Sequence, residues 1–231
     1  MLNRAGYDVA FAPGEVCCGA LVQHLGRHEE ALDAARRNVD AWTREIETAG
    51  LDAIVITASG CGTTIKDYGC MLRADPAYAQ KAARVSALAK DVSELLAQAD
   101  LPPGDGRGLV VAYHSACSLQ HGQGVTEAPK RLLQGAGYQV ATPAEAHLCC
   151  GSAGTYNLLQ PAIAAQLRDR KLFNIAALSP DIIAAGNIGC MIQIASGADV
   201  PVVHTIELLD WAAGGPTPPA LIGRYPDRRS A

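Results

Sequence analysis

Ala136-Gly137-Tyr138-Gln139-Val140, followed by Leu148-Cys149-Cys150-Gly151, repeats a pattern already used at Ala5-Gly6-Tyr7-Asp8-Val9 and Val16-Cys17-Cys18-Gly19. The repetition continues downstream. Leu51-Asp52-Ala53-Ile54-Val55, leading to Gly60-Cys61, is matched by Ser179-Pro180-Asp181-Ile182-Ile183, leading to Gly189-Cys190. Ser93-Glu94-Leu95-Leu96 is echoed by Ile206-Glu207-Leu208-Leu209. Four matches in one order, three of them roughly 130 residues apart and the last about 113, argue for an internal duplication.

Each copy alternates short apolar runs with helical periodicity. Leu32, Ala35, Val39, Trp42 and Ile46 form one helical face that Gly50 closes, and Asp52 to Thr57 follows as a buried strand. In the second copy, Leu109 to Tyr113 reads as a strand, Leu158 to Leu178 as a helix, Asp181 to Ala185 and Val200 to Val203 as strands, and Thr205 to Ala213 as a last helix stopped by Gly214. Strands and helices alternating over short connections predict an α/β fold: two tandem duplicated domains, each a small parallel sheet flanked by helices. The expected boundaries are 1–100 and 109–214, with the Pro- and Gly-rich stretch Leu101 to Gly106 as linker and 215–231 as an irregular tail. The counterpart of Cys117 in the first copy would fall before Met1. The first domain is therefore expected to lack its N-terminal strand and one cysteine, as in a truncated chain whose Leu2 to Gly6 is the end of a helix.

The bulk properties exclude several classes. The chain has 231 residues, 49% apolar but only 5% aromatic, so its core relies on Ala, Val, Leu and Ile. A formal net charge of -4 disfavours nucleic acid as a partner. No apolar run approaches the roughly 20 residues that span a bilayer, and the start carries no signal-peptide core, which points to the cytoplasm. There is no phosphate loop and no dinucleotide fingerprint.

Eight cysteines in such a chain suggest metal or redox work rather than a disulfide framework. Adjacent cysteines bond to each other only with strain, but both can serve one metal cluster, whose several irons offer separate thiolate sites. Loops at the carboxyl ends of parallel strands converge on one crevice. Cys117, Cys149, Cys150 and Cys190 could therefore meet there as the usual four-thiolate complement of a [4Fe-4S] cluster. A helix starting after the doublet would favour its thiolates. Zinc binding, thiol–disulfide chemistry and plain packing use the same residue type. Cys17, Cys18 and Cys61 make a second, incomplete site, and Cys70, without a counterpart, reads as a packing residue. His114 and His147 read either as donors to sulfur or as solvated or capping histidines. Lys66-Asp67-Tyr68-Gly69 either lines a site or closes a polar turn. The charges at Arg27 to Glu30 and Arg168 to Lys171 read as solvated helix faces.

These residues resemble a known family. Paired cysteine-rich CCG domains, built around Cys, then Cys-Cys-Gly, then Cys-x-x-Cys, occur in the cysteine-rich component of heterodisulfide reductases. They also occur in the iron–sulfur subunits of glycolate, lactate and anaerobic glycerol-3-phosphate dehydrogenases. The resemblance is strongest to the iron–sulfur subunit of glycolate dehydrogenase (glycolate oxidase), in its C-terminal part. It is carried by Cys17 to Leu21 with His24, Ala58 to Gly62 with Lys66 to Gly69, Tyr113 to His121, Cys149 to Tyr156, and Gly186 to Cys190. Ala58 and Asn187 stand where the five-cysteine pattern has the first Cys of Cys-x-x-Cys, which speaks against a five-cysteine cluster and leaves a four-cysteine one. The N-terminal ferredoxin-like region of such subunits is not in this sequence. The resemblance implies electron relay: flavin-containing dehydrogenase subunits as partners, glycolate oxidised to glyoxylate, a quinone or other acceptor, no catalytic residue in this chain, and membrane association through partner subunits. Alternatives are a disulfide reductase of the heterodisulfide type, another hydroxy-acid dehydrogenase subunit, and a non-catalytic docking domain.

Overall fold

The computed structural model describes residues 1–225; the last six residues of the expected tail lie outside them. A 3₁₀ turn at Leu2–Ala5 ends on Gly6 in the left-handed conformation. The first copy then runs α1 (Ala20–His24), α2 (His28–Thr48), β1 (Ile54–Ile56), α3 (Ser59–Lys66), α4 (Tyr68–Met71), α5 (Ala79–Leu88), β2 (Ala89–Asp91) and α6 (Val92–Leu96). The second runs β3 (Val110–His114), a π-helical turn (Ser118–Gly122), α7 (Ala128–Gly135), β4 (Gln139–Ala141), α8 (Tyr156–Leu159), α9 (Pro161–Ala176), β5 (Ile182–Ala185), α10 (Ile188–Ala195), β6 (Val202–His204) and α11 (Thr205–Ala212). The expected helix over 158–178 is in fact two. Pro161 cannot donate to the preceding turn, so α9 starts there and the short α8 stands apart.

All strand pairs are parallel. The first sheet is β1–β2, and the second has the order β4-β3-β5-β6. Mixed α/β structure with small parallel sheets flanked by helices is thus what the alternating pattern predicted, and the first sheet has two strands against the second's four. Residues 8–10, which match β4 in the duplication, are not in a strand. In the second sheet the central strands are buried on both faces. Val111, Tyr113, Ile182 and Ala184 face a core with Leu132, Leu133, Leu208 and Trp211. Ala112 and Ile183 face the other core, which holds Cys150, Cys190, Ile175 and Ile194. Alternation along the strands therefore decides which face carries sulfur. Helix α6, although it precedes the linker, gives Val92 and Leu96 to the core of the second sheet.

The duplication is visible in detail. Helices α6 and α11 both begin with a capping box: Asp91 accepts from the Ser93 amide at 2.9 Å, and the Asp91 amide donates to Glu94 at 2.8 Å. His204 Nδ1 accepts from the Ile206 amide at 3.2 Å, and its own amide donates to Glu207 at 3.1 Å. Helices α2 and α9 are also equivalent, and each packs its fourth residue against a Cys-Cys-Gly glycine. Gly19 (φ 81) lies against Ala31 of α2, and Gly151 (φ 93) against Ala164 of α9. A Cβ at Gly19 would meet the Ala31 carbonyl oxygen at 3.2 Å, whereas one at Gly151 would run into the backbone of Ala164.

The left-handed backbone alone costs an alanine roughly 1–2 kcal/mol. Gly19→Ala should lose about that much stability. Gly151→Ala should lose clearly more, because α9 must also move. Equal losses in denaturant unfolding would contradict this packing.

Candidate metal centre

The second cysteine set comes together where expected, at the carboxyl ends of β3 and β5. Cys117 follows β3 and begins the π-helical turn. Cys149 and Cys150 lie in the loop that ends on Gly151. Cys190 is the third residue of α10, capped by Asn187. Side-chain contacts run from Cys117 to Cys149, from Cys149 to Cys150, and from Cys150 to Cys190. Cys150 and Cys190 are buried, while Cys117 and Cys149 are half-buried. No cysteine of the chain is in a disulfide.

One expectation about the electrostatics is corrected. No helix starts directly after the second doublet, because residues 152–155 intervene before the short α8. The helix N-termini of the two copies instead carry Cys61 and Cys190, each the third residue of α3 or α10. At the doublet the Gly151 amide donates to Cys149 Sγ at 3.3 Å. The Asn187 side-chain amide donates to Cys190 Sγ at 3.4 Å.

Protons are unevenly shared along this chain of sulfurs. Cys149 is held far below the ordinary thiol range, chiefly because Cys117 donates to it, with Cys150 and the Gly151 amide adding. Cys190 is lowered to about 5, through Cys150 first and then through His114 and Asn187. Contact with Cys149 pushes the thiols of Cys117 and Cys150 up, and burial adds to this. The contacts thus favour the thiolate at Cys149 and Cys190 and the protonated thiol at Cys117 and Cys150.

His114 ends β3 on the same face as Ala112. It is 1% exposed, and neither ring nitrogen makes a hydrogen bond among the described residues. Its ligand atom and the sulfurs of Cys150 and Cys190 all lie within 4.8 Å of one another. A buried polar group without a partner costs about 1–3 kcal/mol. Four converging thiols and an orphaned imidazole make up a donor set that suits a metal–sulfur group.

The first copy brings together less. Cys18 is buried and touches Cys61, whose thiol falls to about 7 through that contact, while Cys17 beside it is exposed. Tyr68, fully buried, donates to the Cys18 carbonyl at 2.9 Å and receives the Asn38 amide at 3.0 Å. Within Lys66-Asp67-Tyr68-Gly69, Tyr68 therefore braces the doublet from behind, while Lys66 pairs with Glu94 at 2.5 Å. Cys70 is exposed with Arg73 at 2.9 Å from its sulfur, so the packing expectation fails: it lies on the outer side of the short α4, whose buried residue is Tyr68. His147 is exposed in the loop before the second doublet, as the solvated reading has it. Arg27 does pair with Glu30 on an exposed surface.

Lys171 departs most from expectation. Read as part of a solvated face, it is fully buried, and its ammonium donates to the carbonyls of Glu145 at 2.8 Å and Ala146 at 3.3 Å. The signal for this is its place on the helix. Ala164, Lys171 and Ile175 share the inner stripe of α9.

In the metal-free chain, a pH titration followed by thiolate absorbance should show an ionisation near pH 5 that Cys190→Ser abolishes. Ionisation of every thiol in the ordinary range would contradict the shared-proton arrangement.

The family model described as "Cysteine-rich domain" (CCG) matches residues 1–66 and 111–195. The chain is 43% identical over 213 residues to the glycolate oxidase iron-sulfur subunit of Escherichia coli K12, covering 92% of this chain and 52% of that protein. It is 31% identical over 228 residues to the probable glycolate oxidase iron-sulfur subunit of Bacillus subtilis 168, covering 94% and 50%. To lactate utilization protein A of Geobacillus thermodenitrificans it is 26% identical over 218 residues, covering 91% and 89%. The chain spans about half the length of the two glycolate oxidase relatives. No helix among the described residues is long and apolar enough to cross a membrane. With both Cys-Cys-Gly segments inside the matched regions, the chain belongs to the cysteine-rich CCG domain family.

Proposed function

We propose that this chain is an iron–sulfur, electron-transfer subunit of a 2-hydroxy-acid dehydrogenase complex, with glycolate as the favoured substrate of a flavin-containing partner. The cluster ligands in this reading are Cys117, Cys149, Cys150 and Cys190, and the cluster is of the [4Fe-4S] type. The observation that carries it is the single run of contacts linking four thiols from three separate segments, the turn after β3, the loop ending on Gly151 and the first turn of α10, with a buried imidazole beside it that makes no hydrogen bond among the described residues. The glycolate oxidase iron-sulfur subunits among the relatives support it. A bound cluster supplies one-electron chemistry, which lets the electron pair removed from glycolate, on its oxidation to glyoxylate, pass singly towards a quinone or other acceptor.

The chain's own residues bind and insulate. Cys149 and Cys190 are ready as thiolates, and Cys117 and Cys150 each release a proton on metal binding. The Gly151 and Asn187 amides aim N–H groups at sulfur, and such hydrogen bonds set the potential. Residues 1–100 and 109–214 act as the two CCG units, and the first carries the incomplete site of Cys17, Cys18 and Cys61. Exposed apolar side chains near the doublets, Leu21 and Leu25 beside the first and Leu158, Leu159, Ile188 and Ile192 around the second, suit docking to partner subunits.

Anaerobic reconstitution with iron and sulfide should load about four irons per chain and yield an EPR signal on reduction. Cys149→Ser/Cys150→Ser should abolish both, and Cys17→Ser/Cys18→Ser should leave both. A folded parent chain that takes up no iron would sink the proposal and leave docking as the better account.

A further inference from the structure

The two copies hold equivalent loops with different side chains. Helices α2 and α9 hold the segment before each doublet through their eleventh residue, Asn38 in one and Lys171 in the other. Both residues are fully buried. Asn38 accepts from the Val16 amide at 2.7 Å and donates to the Cys17 carbonyl at 3.3 Å. Lys171 does the same mechanical job on the carbonyls of Glu145 and Ala146. A neutral amide therefore suffices to pin this loop. The copy that clusters three cysteines, its Cys70 lying apart, uses one, and the copy that clusters four buries an ammonium instead.

Burying a charge is expensive unless an opposite charge answers it. No carboxylate pairs with Lys171 among the described residues. Glu145 offers it only a backbone carbonyl, because the Glu145 carboxylate is taken by Arg170 and Asn174. Burial weakens the protonated form of Lys171, and Cys150, Cys149, Glu145 and Cys190 oppose that. Three of these four neighbours belong to the sulfur site.

We infer that Lys171 is the built-in counter-charge of a negatively charged metal–thiolate group held by Cys117, Cys149, Cys150 and Cys190. It is a positioning and potential-setting residue, not a ligand. The inference rests on the iron–sulfur reading above. Each electron added to such a group makes it more negative, and a fixed cation in a low-dielectric surround favours that reduced state. Lys171 thus raises the reduction potential in the second copy, where the first copy has no equivalent charge.

The test compares the full chain with Lys171→Asn, Lys171→Gln and Lys171→Arg. Each is reconstituted anaerobically, analysed for iron, checked for fold by circular dichroism and titrated by EPR against potential. Asparagine imports the residue of the first copy, and glutamine keeps a longer amide donor. Both should retain the fold and shift the reduction equilibrium at least tenfold towards the oxidised form, which for one electron is 59 mV. Arginine should stay near the parent. Loss of iron in both neutral variants but not in Lys171→Arg would also support the counter-charge. Neutral variants that titrate at the parent potential would overturn it while leaving the iron–sulfur reading intact, and so would equal iron loss in all three. A parent chain without iron would overturn both readings at once.

Discussion

The structure depends on a close approach of backbone to backbone at each Cys-Cys-Gly. Gly151 leans on Ala164 and Gly19 on Ala31, each in a left-handed conformation that side-chain-bearing residues avoid. That contact presses the doublet against a long helix. The side chains that hold the doublet loop are then on the same helix or directly behind it: Lys171 on α9, Asn38 on α2, and Tyr68 behind Asn38. With a Cβ at the glycine, the loop and the helix would separate.

The second constraint is electrostatic. Four thiols, one unpartnered imidazole and one ammonium are gathered near the ends of β3 and β5, where the surrounding core is otherwise Ala, Ile and Leu. Such a set is costly as free groups, because the thiols must share protons and the buried ring nitrogens of His114 make no hydrogen bond among the described residues. The same set would become favourable with a bound metal in place of the thiol protons, which pass to solvent. The groups around the sulfurs, Asn187, the Gly151 amide and Lys171, are donors or a cation.

The two copies meet through these same loops. Ser59, at the start of α3, donates its amide to the Gly186 carbonyl at 3.2 Å, and its hydroxyl lies 2.8 Å from that of Ser118. His204, the cap of α11, reaches the Thr57 carbonyl at 2.8 Å. The joint is therefore made of the segments that follow β1, β3 and β5, the same segments that carry Cys61, Cys117 and Cys190. The first copy, with its two-stranded sheet and its incomplete set of Cys17, Cys18 and Cys61, braces the second through this joint.

The repeat of Gly-Tyr, Cys-Cys-Gly and strand-Gly-Cys was enough to read the α/β class, the parallel sheets and the duplication, because period and order are properties of the chain itself. The cysteines that meet were also legible, since parallel strands force their carboxyl-end loops together. Burial of individual polar side chains was not legible. Lys171 sits in a run of charges, Arg168-Asp169-Arg170-Lys171, and only the packing of α9 against the 145–150 loop turns one of the four inward. His114 is like any strand-end histidine until the sheet's alternation places it on the sulfur face. The helix ends were hidden for the same reason: which cysteine lies at a helix N-terminus depends on where Pro161 and Asn187 let helices begin. Local sequence sets where elements form, but which side chain meets which charge depends on packing between segments distant in the chain, and only the tertiary structure decides that.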